Sequence, residues 1–542
     1  MLSPLVLCAI VLVDRAEAAG IGFQNVFGSP EKRFIYETLG SGGAFFDYDE
    51  DGFLDIYLVN GAPDLESRGP GSRLYRNRGD GRFEDVTEES GAGEDGFGVA
   101  VALADLEADG DSDLYVATFG EDVLLVNQGD GTFRKLLMGD DLMAGGAAFG
   151  DYDADGLPDL YVSSYVERSA FLPGGKGLEL CNWKGLRVGC GPAGLPATAD
   201  RLYHNDGGRL RDASEETGIT AVEPSYGLGV LFSDFDRDGR ADVYVANDGK
   251  PNFLFLNRGD GTFTEEGLLR GAAYSGDGRE QAGMGVDSAD IDEDGDFDLA
   301  VTNFSHDYTA LYESLGFGFY ADASYRRGIG RDTYFPLSWG IRFADLDADG
   351  DLDLFVANGH IYPEAARVAP ETSYDEPDRV FENDGSGGFT LAPWAAVRGS
   401  SRGLSSGDYD NDGRIDLLVT VIDGSPALLH NETGPSGAGL VVKLAGVQST
   451  REGLGAIVTV ETASGKQRRE ARTSGSLASA QDPRVHFGLG SKRVEAIEVQ
   501  WPSGERDRVK PAPGALLLVI KEGVGVLVTH TAAPSSGSPA KP

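Results

Sequence analysis

Residues 47–60 read DYDEDGFLDIYLVN. Asp47, Asp49, Asp51 and Asp55 stand at positions 1, 3, 5 and 9 of this stretch, with Gly52 at position 6. An EF-hand calcium loop begins the same way, but it needs a bidentate Glu at position 12 and a helix after it. Position 12 here is Leu58, inside the β-branched and aromatic run IYLVN, which reads as a strand. The stretch is therefore a tight acidic turn between two strands.

The turn recurs six more times: DLEADGDSD from Asp105, DYDADGLPD from Asp151, DFDRDGRAD from Asp234, DIDEDGDFD from Asp290, DLDADGDLD from Asp345 and DYDNDGRID from Asp408. Position 12 of these copies is Val116, Val162, Val245, Val301, Val356 and Val419, apolar each time. A second motif follows each turn except the last in full form, as in LYRNRGDGRFEDVT at 74–87 and LFLNRGDGTFTEE at 254–266: strand, Gly-rich turn, strand. Four antiparallel strands per unit, seven times over, predict an all-β fold, a seven-bladed β-propeller over 20–434. The seventh unit stops at LLHN, so GIGFQNVFG at 20–28 is expected to supply its fourth strand through residues 21–27 and remove an open edge.

The chemistry of the turns points to Ca²⁺, which takes six to eight oxygens at about 2.3–2.6 Å. Positions 1, 3, 5 and 9 offer carboxylates, Gly at 6 permits φ > 0, and position 7 offers a backbone carbonyl. The expected ligand sets are Asp47, Asp49, Asp51, Phe53 and Asp55; Asp105, Glu107, Asp109, Asp111 and Asp113; Asp151, Asp153, Asp155, Leu157 and Asp159; Asp234, Asp236, Asp238, Arg240 and Asp242; Asp290, Asp292, Asp294, Asp296 and Asp298; Asp345, Asp347, Asp349, Asp351 and Asp353; and Asp408, Asp410, Asp412, Arg414 and Asp416. A single copy would pass for an Asp-rich turn. Seven copies predict up to seven structural calcium ions.

Strand parity puts the acidic turns and the Gly turns on one face. The long connections, 61–73, 165–200, 303–310 and 358–379, fall on the other, where loops on a rigid scaffold suit ligand binding. Asn247, Asp248, Asn303, His306, Asp307, Asn358 and His360 lie at strand ends there and are candidate ligand residues, with capping of strand ends as the plainer alternative. Two Arg-Gly-Asp tripeptides, Arg78–Asp80 and Arg258–Asp260, sit in the Gly turns, where the parallel copy has Gln128, so they read as turn chemistry.

The formal net charge of −42 argues against nucleic-acid partners. Residues 1–18 hold an apolar run, Leu2–Val13, followed by AEA, and read as a signal peptide despite Asp14 and Arg15 and the lack of a basic start. No other stretch approaches a membrane span. Of the remaining cysteines, Cys181 and Cys190 are close in sequence and are expected to form a disulfide in an exported protein. After 434 the pattern shifts to short strands, a small β domain over 438–523, and 524–542 reads as a disordered tail.

The acidic turns resemble the FG-GAP/VCBS repeats of integrin α-chain propellers. REGLGAIVTV at 451–460, TSGSLASAQDPRVHFGLG at 473–490 and VEAIEVQWPSG at 494–504 resemble the ASPIC/UnbV domain. The whole arrangement, including CNWKGLRVGCGPAGLP and NGHIYP, is similar to bacterial relatives of cartilage acidic protein. The resemblance implies an exported or cell-envelope calcium-binding propeller acting in adhesion, matrix interaction or carbohydrate binding, with an extracellular protein or glycan as partner. The alternatives are a lyase-like polysaccharide-active enzyme, for which no G-x-S-x-G or H-E-x-x-H is present, and a scaffold of an envelope assembly. No catalytic residue is assigned.

Overall fold

The computed structural model describes residues 10–139, 142–394, 397, 399–434 and 439–531. Each acidic turn folds one strand back on the next. In the first unit Gly43–Phe46 pairs antiparallel with Asp55–Leu58, with Phe46 opposite Asp55. Arg73–Asn77 and Phe83–Asp85 complete the sheet. Among the described residues this four-stranded order occurs in seven sheets. The second and third are stitched together where Leu142 and Met143 pair with Gly120 and Phe119.

The innermost strands are Gly43–Phe46, Gly98–Ala104, Leu142–Gly150, Gly227–Ser233, Val286–Ala289, Ser338–Ala344 and Ser401–Gly407. Each touches the next, and the last touches the first, so the sheets close a ring. These strands and the second strands behind them are buried almost throughout. The sheets therefore bury both faces against neighbouring sheets, which explains the continuous apolar runs of the second strands. Small residues let the inner strands approach: a Cβ on Gly285 would meet the Trp339 carbonyl at 2.2 Å.

The ring is closed by a strand other than the expected one. Leu12–Asp14, not 21–27, pairs with Ala427–Asn431, placing Leu12 opposite Asn431 and Asp14 opposite Leu429. Ile10, Leu12, Ala16 and Ala19 are buried. Of the segment 1–18 expected to be a signal peptide, residues 1–9 lie outside the described residues and Leu12–Asp14 is built into the last sheet, an apolar run serving a buried strand as well as a leader. Residues 21–27 instead run between the first and last sheets, where Asn25 donates its N–H to the Gly424 carbonyl (2.9 Å).

The C-terminal domain packs two four-stranded sheets around Trp501, Phe487 and Ile497. Its last strand, Gly525–Thr531, pairs with Ala515–Lys521, so the domain extends beyond 523 and the described start of the expected tail is a strand. The rest of that tail, 532–542, lies outside the described residues.

A segment of this domain, 473–481, enters the axis of the ring. Val101 N–H donates to the Ala478 carbonyl (3.0 Å), and Ser476 exchanges both backbone bonds with Val286 (3.1 and 2.6 Å). Phe232 N–H and Ile341 N–H reach the hydroxyls of Ser474 (3.4 Å) and Ser476 (3.3 Å). Gly43 N–H reaches the Ser479 hydroxyl (3.2 Å), and the Ser405 hydroxyl donates to the Ala480 carbonyl (2.6 Å). Six of the seven inner strands thus bond to this one segment. Gly42 has to be glycine here, because a Cβ would sit 1.7 Å from the Ala478 carbonyl oxygen.

Candidate metal loops and the opposite face

The seven acidic turns share one backbone. Position 4 is left-handed in all of them, at Glu50, Ala108, Ala154, Arg237, Glu293, Ala348 and Asn411 (φ 54–65°), although none is glycine. The glycine at position 6 is left-handed too, as at Gly52 (φ 90°). Two such residues in one turn curl it so that side chains 1, 3 and 5 converge. In each turn the Gly N–H donates to one oxygen of the position 1 carboxylate, as Gly52 does to Asp47 Oδ2 (3.1 Å) and Gly413 to Asp408 Oδ2 (2.8 Å). Position 7 N–H caps the position 5 carboxylate, as Phe53 does to Asp51 (2.9 Å).

The position 9 carboxylates are buried hubs. Asp55 accepts from Tyr48 N–H (3.0 Å) and Asn77 N–H (2.7 Å), and Asp242 accepts from Phe235 and Asn257 in the same way. These bonds fix the carboxylates and leave other oxygens free. Asp47, Asp49, Asp236, Asp290, Asp292, Asp345 and Asp410 each keep a buried Oδ1 with no hydrogen-bond partner. Ligand oxygens of Asp47, Asp49 and Asp55 lie within 4.8 Å of one another, as do those of Asp151, Asp153 and Asp159 and of Asp234, Asp236 and Asp242. Orphaned, convergent, all-oxygen donors fit a hard divalent cation. Burial pushes Asp47 and Asp105 up to about 6, Asp151 to about 7 and Asp298 to about 8, which shows how poorly these carboxylates carry charge without a cation.

The turns are not equal. Arg76 reaches Asp49 (2.9 Å), His204 Nε2 reaches Asp153 (2.9 Å) and Arg327 reaches Asp292 (2.5 Å), each placing a cationic or titratable side chain on the position 3 ligand. His430 Nδ1 lies 3.2 Å from Asp416 and 3.8 Å from Asp410. In the second turn Asp113 rises to about 9, through burial first and then the charge of Glu107. The sixth turn has Glu382 at the repeat position where the first has Arg76.

One further repeat residue went unassigned in the sequence. The Asn ending the third strand sends its amide to the position 2 carbonyl of the preceding turn: Asn77 to Tyr409, Asn127 to Tyr48, Asn205 to Leu106, Asn257 to Tyr152, Asn383 to Ile291 and Asn431 to Leu346, at 2.6–3.0 Å. The fifth unit has Ser314 there and lacks the bond, matching its departure from the motif. The signal was present in the recurring N of LYRN and LFLN. The Arg-Gly-Asp tripeptides serve their own hairpins: Arg78 pairs with Glu84, Arg258 with Glu266, and the Asp260 carboxylate accepts from Thr262.

This face is partly covered, its outer rim staying exposed at Glu50, Asp51, Asp155 and Asp238. The C-terminal domain, 438–523, holds 13 basic and 9 acidic residues and lies on the acidic turns. Arg469 donates to the Gly350 carbonyl (2.9 Å), Lys492 to Asp349 O (2.8 Å) and Arg468 to Gly295 O. The Asp105 N–H and Gly413 O are met by Glu452 and His486.

On the opposite face the predicted residues separate into two groups. Asn247, Asn303, Asn358 and His360 are buried. The three Asn amides cap local carbonyls, at Pro251 (2.8 Å), Tyr308 (2.9 Å) and Pro377 (2.9 Å). His360 accepts from Tyr362 N–H at Nδ1 (3.0 Å), packs against Trp183 and Tyr362, and is pulled down to about 3 by burial, so it is neutral. Asp248 binds the Tyr165 hydroxyl (2.6 Å), and Asp307 binds Gln281 (2.7 Å). His306 stays accessible. Its Nε2 lies 2.8 Å from Glu371 and 3.1 Å from Lys184, and its ring meets Tyr334 and Phe335. Lys184 belongs to the hairpin Leu180–Trp183 and Leu186–Gly189, which the Cys181–Cys190 disulfide closes. That hairpin crosses the face, and Tyr362 donates its hydroxyl to Gly189 O (3.2 Å).

Comparison with known proteins agrees with the repeats. Residues 47–116, 105–162 and 234–301 match the FG-GAP-like repeat family, and 446–526 match the ASPIC and UnbV family. The chain thus carries FG-GAP-like repeats and an ASPIC/UnbV domain. It is 28% identical over 322 residues to cartilage acidic protein 1 of Homo sapiens, covering 58% of this chain and 46% of that protein. To the Mus musculus protein it is 28% identical over 309 residues, covering 55% and 44%. The chain spans about half the length of the curated relatives it matches. Among solved structures, the BP39L lectin from Burkholderia pseudomallei covers 73% of this chain and 98% of its own, at 10% identity and a TM-score of 0.46. An Agrocybe aegerita lectin covers 71% and 87%, at 17% identity and 0.39. Among the described residues no helix is long and apolar enough to cross a membrane.

Proposed function

We propose that the protein is an exported binding module whose propeller is held by up to seven Ca²⁺ ions and whose ligand is an extracellular glycan or protein. The observation that carries the calcium reading is the set of buried, partnerless Oδ1 atoms in turns whose other carboxylate oxygens are fixed by backbone N–H groups. Calcium would supply charge neutralisation and a rigid turn; this chain supplies the oxygens and the two left-handed residues that aim them. With the metal face partly covered by the C-terminal domain, we place recognition on the other face. There the accessible His306, Lys184 and Glu371, with Phe335 exposed beside them, combine polar groups with an aromatic surface. Such a mixture suits sugar hydroxyls and ring faces. A glycan array run in calcium and in chelator tests the reading. Retained binding in calcium that His306→Ala and Phe335→Ala both abolish supports it. Binding untouched by both variants places the ligand elsewhere, and chain scission of a bound polysaccharide makes the protein an enzyme.

A further inference from the structure

Between the inner strands of the fifth to seventh sheets and the C-terminal domain lies a cavity of about 80 Å³. Five arginines line it: Arg342 from the propeller, and Arg468, Arg469, Arg472 and Arg484 from the C-terminal domain. Their charges are not matched. Arg472 and Arg342 share Asp287 (2.5 and 3.4 Å), Arg472 also lies 3.5 Å from Glu470, and Arg484 pairs with Asp482 (2.7 Å). Among the described residues no carboxylate comes within 4.0 Å of the Arg468 or Arg469 guanidinium, and both donate to backbone carbonyls instead. Arg469 Nε is buried without an acceptor. Asp345 is the remaining carboxylate on the wall; its Oδ2 accepts from Gly350 N–H (3.0 Å). His486, also on the wall, lies with Nε2 2.8 Å from Gly413 O, and burial lowers its pKa. Asp234, Asp290 and Asp408 of the acidic turns act on Arg468, Arg469 and Arg484 through space, but none of them reaches the Arg468 or Arg469 guanidinium.

A buried cation without a carboxylate in direct contact is costly, and burial lowers the pKa of Arg468 and Arg469 although acidic groups stand nearby. The planar fork of a guanidinium matches the geometry of an oxyanion, which several arginines can grip at once. Space for several water-sized spheres, at roughly 10–15 Å³ each, is also enough for one such ion. We propose that this cavity binds a small inorganic oxyanion, sulfate or phosphate, held between Arg342 and the arginines of the C-terminal domain, so that the ion fastens that domain to the propeller. The site adjoins the fifth to seventh acidic turns, and Asp345 on its wall is also an expected calcium ligand, so the two are tested at fixed free calcium.

The test is thermal melting of the full chain at a fixed free calcium concentration, with sodium sulfate or sodium phosphate exchanged for sodium chloride at constant ionic strength and phosphate kept below the solubility of calcium phosphate. The expected result is a saturating rise in Tm with one or both oxyanions, lost in Arg342→Met and kept in Arg506→Met, whose guanidinium is exposed on the opposite edge of the sheet that carries Arg468 and Arg469. Whichever salt saturates identifies the ion. A rise that never saturates and is equal in the wild type and Arg342→Met is ordinary salting of the surface and overturns the proposal. Should Arg342→Met fail to fold, wild-type crystals soaked in selenate decide it: an anomalous peak in the cavity supports the site, and its absence refutes it.

Discussion

The two faces of the ring are built on opposite plans. The acidic face repeats one nine-residue turn seven times and is partly covered by a basic domain. The other face repeats nothing: its connections differ in length, one carries a disulfide, and its polar groups come from unrelated loops. Regularity here goes with holding the ring together, because each turn offers nearly the same carboxylates and in six of the seven units a third-strand Asn ties one unit to the one before it. Irregularity goes with the accessible side chains, because only unlike loops can build one distinct surface.

Breaking the regular face should have the largest effect. Each site that binds only the folded chain adds about 2.7 kcal/mol when free calcium is 100-fold above its Kd. Excess chelator is therefore expected to lower Tm by roughly 10 °C or more, with at least four Ca²⁺ per chain found by metal analysis. An unchanged Tm would remove calcium from the account. Within that face, Asp347→Asn in the sixth turn should cost more calcium affinity than Asp153→Asn in the third, where His204 already rests on the ligand; calorimetric titration of the two variants checks this.

The axial segment comes next. Ser476 donates its N–H to Val286 and has φ 66°, and proline permits neither, so Ser476→Pro should cost about 3 kcal/mol or more by denaturant unfolding. A third, smaller loss is expected on the irregular face. Removing the disulfide with Cys181→Ser and Cys190→Ser frees a short loop, worth at most about 2.5 kcal/mol. Hydrogen exchange should then rise at Trp183 and Tyr362 while the acidic turns stay protected.

Acid should divide the faces most gently. On the loop face, burial raises Asp200 and Asp248 to about 6 and Glu376 and Asp378 to about 7. Folded values above the unfolded value near 4 mean that stability from these groups is present below about pH 4 and is lost as pH rises to about 7. Calcium ligands behave the other way, since protons compete with the metal. Chelated protein should accordingly melt higher at pH 5.5 than at pH 7.5, and the difference should shrink or reverse in calcium.

The seven turns were legible because their chemistry is local: ligand spacing, glycine and an apolar position 12 all lie within a dozen residues. The disulfide was legible for the same reason. The closing strand was not, since Leu12–Asp14 is apolar enough for either a strand or a leader and its partner lies more than 400 residues away. Nor was the burial of His360, which packs against Trp183 of a hairpin inserted in a different unit. The covering of the acidic face by Arg468 and Arg469 depends on how two domains meet, and spacing within one segment carries no record of that.

The closing strand also sets an order of events in time. The ring needs Leu12–Asp14 and Ala427–Asn431, the second made some 400 residues after the first. Until then the nascent chain is an open arc with an unpaired strand at each end, the condition in which sheets recruit the wrong neighbour. The axial segment 473–481 emerges later still. A stretch made after all seven inner strands is thus the one that bonds to six of them, and the slow step of assembly should be found there.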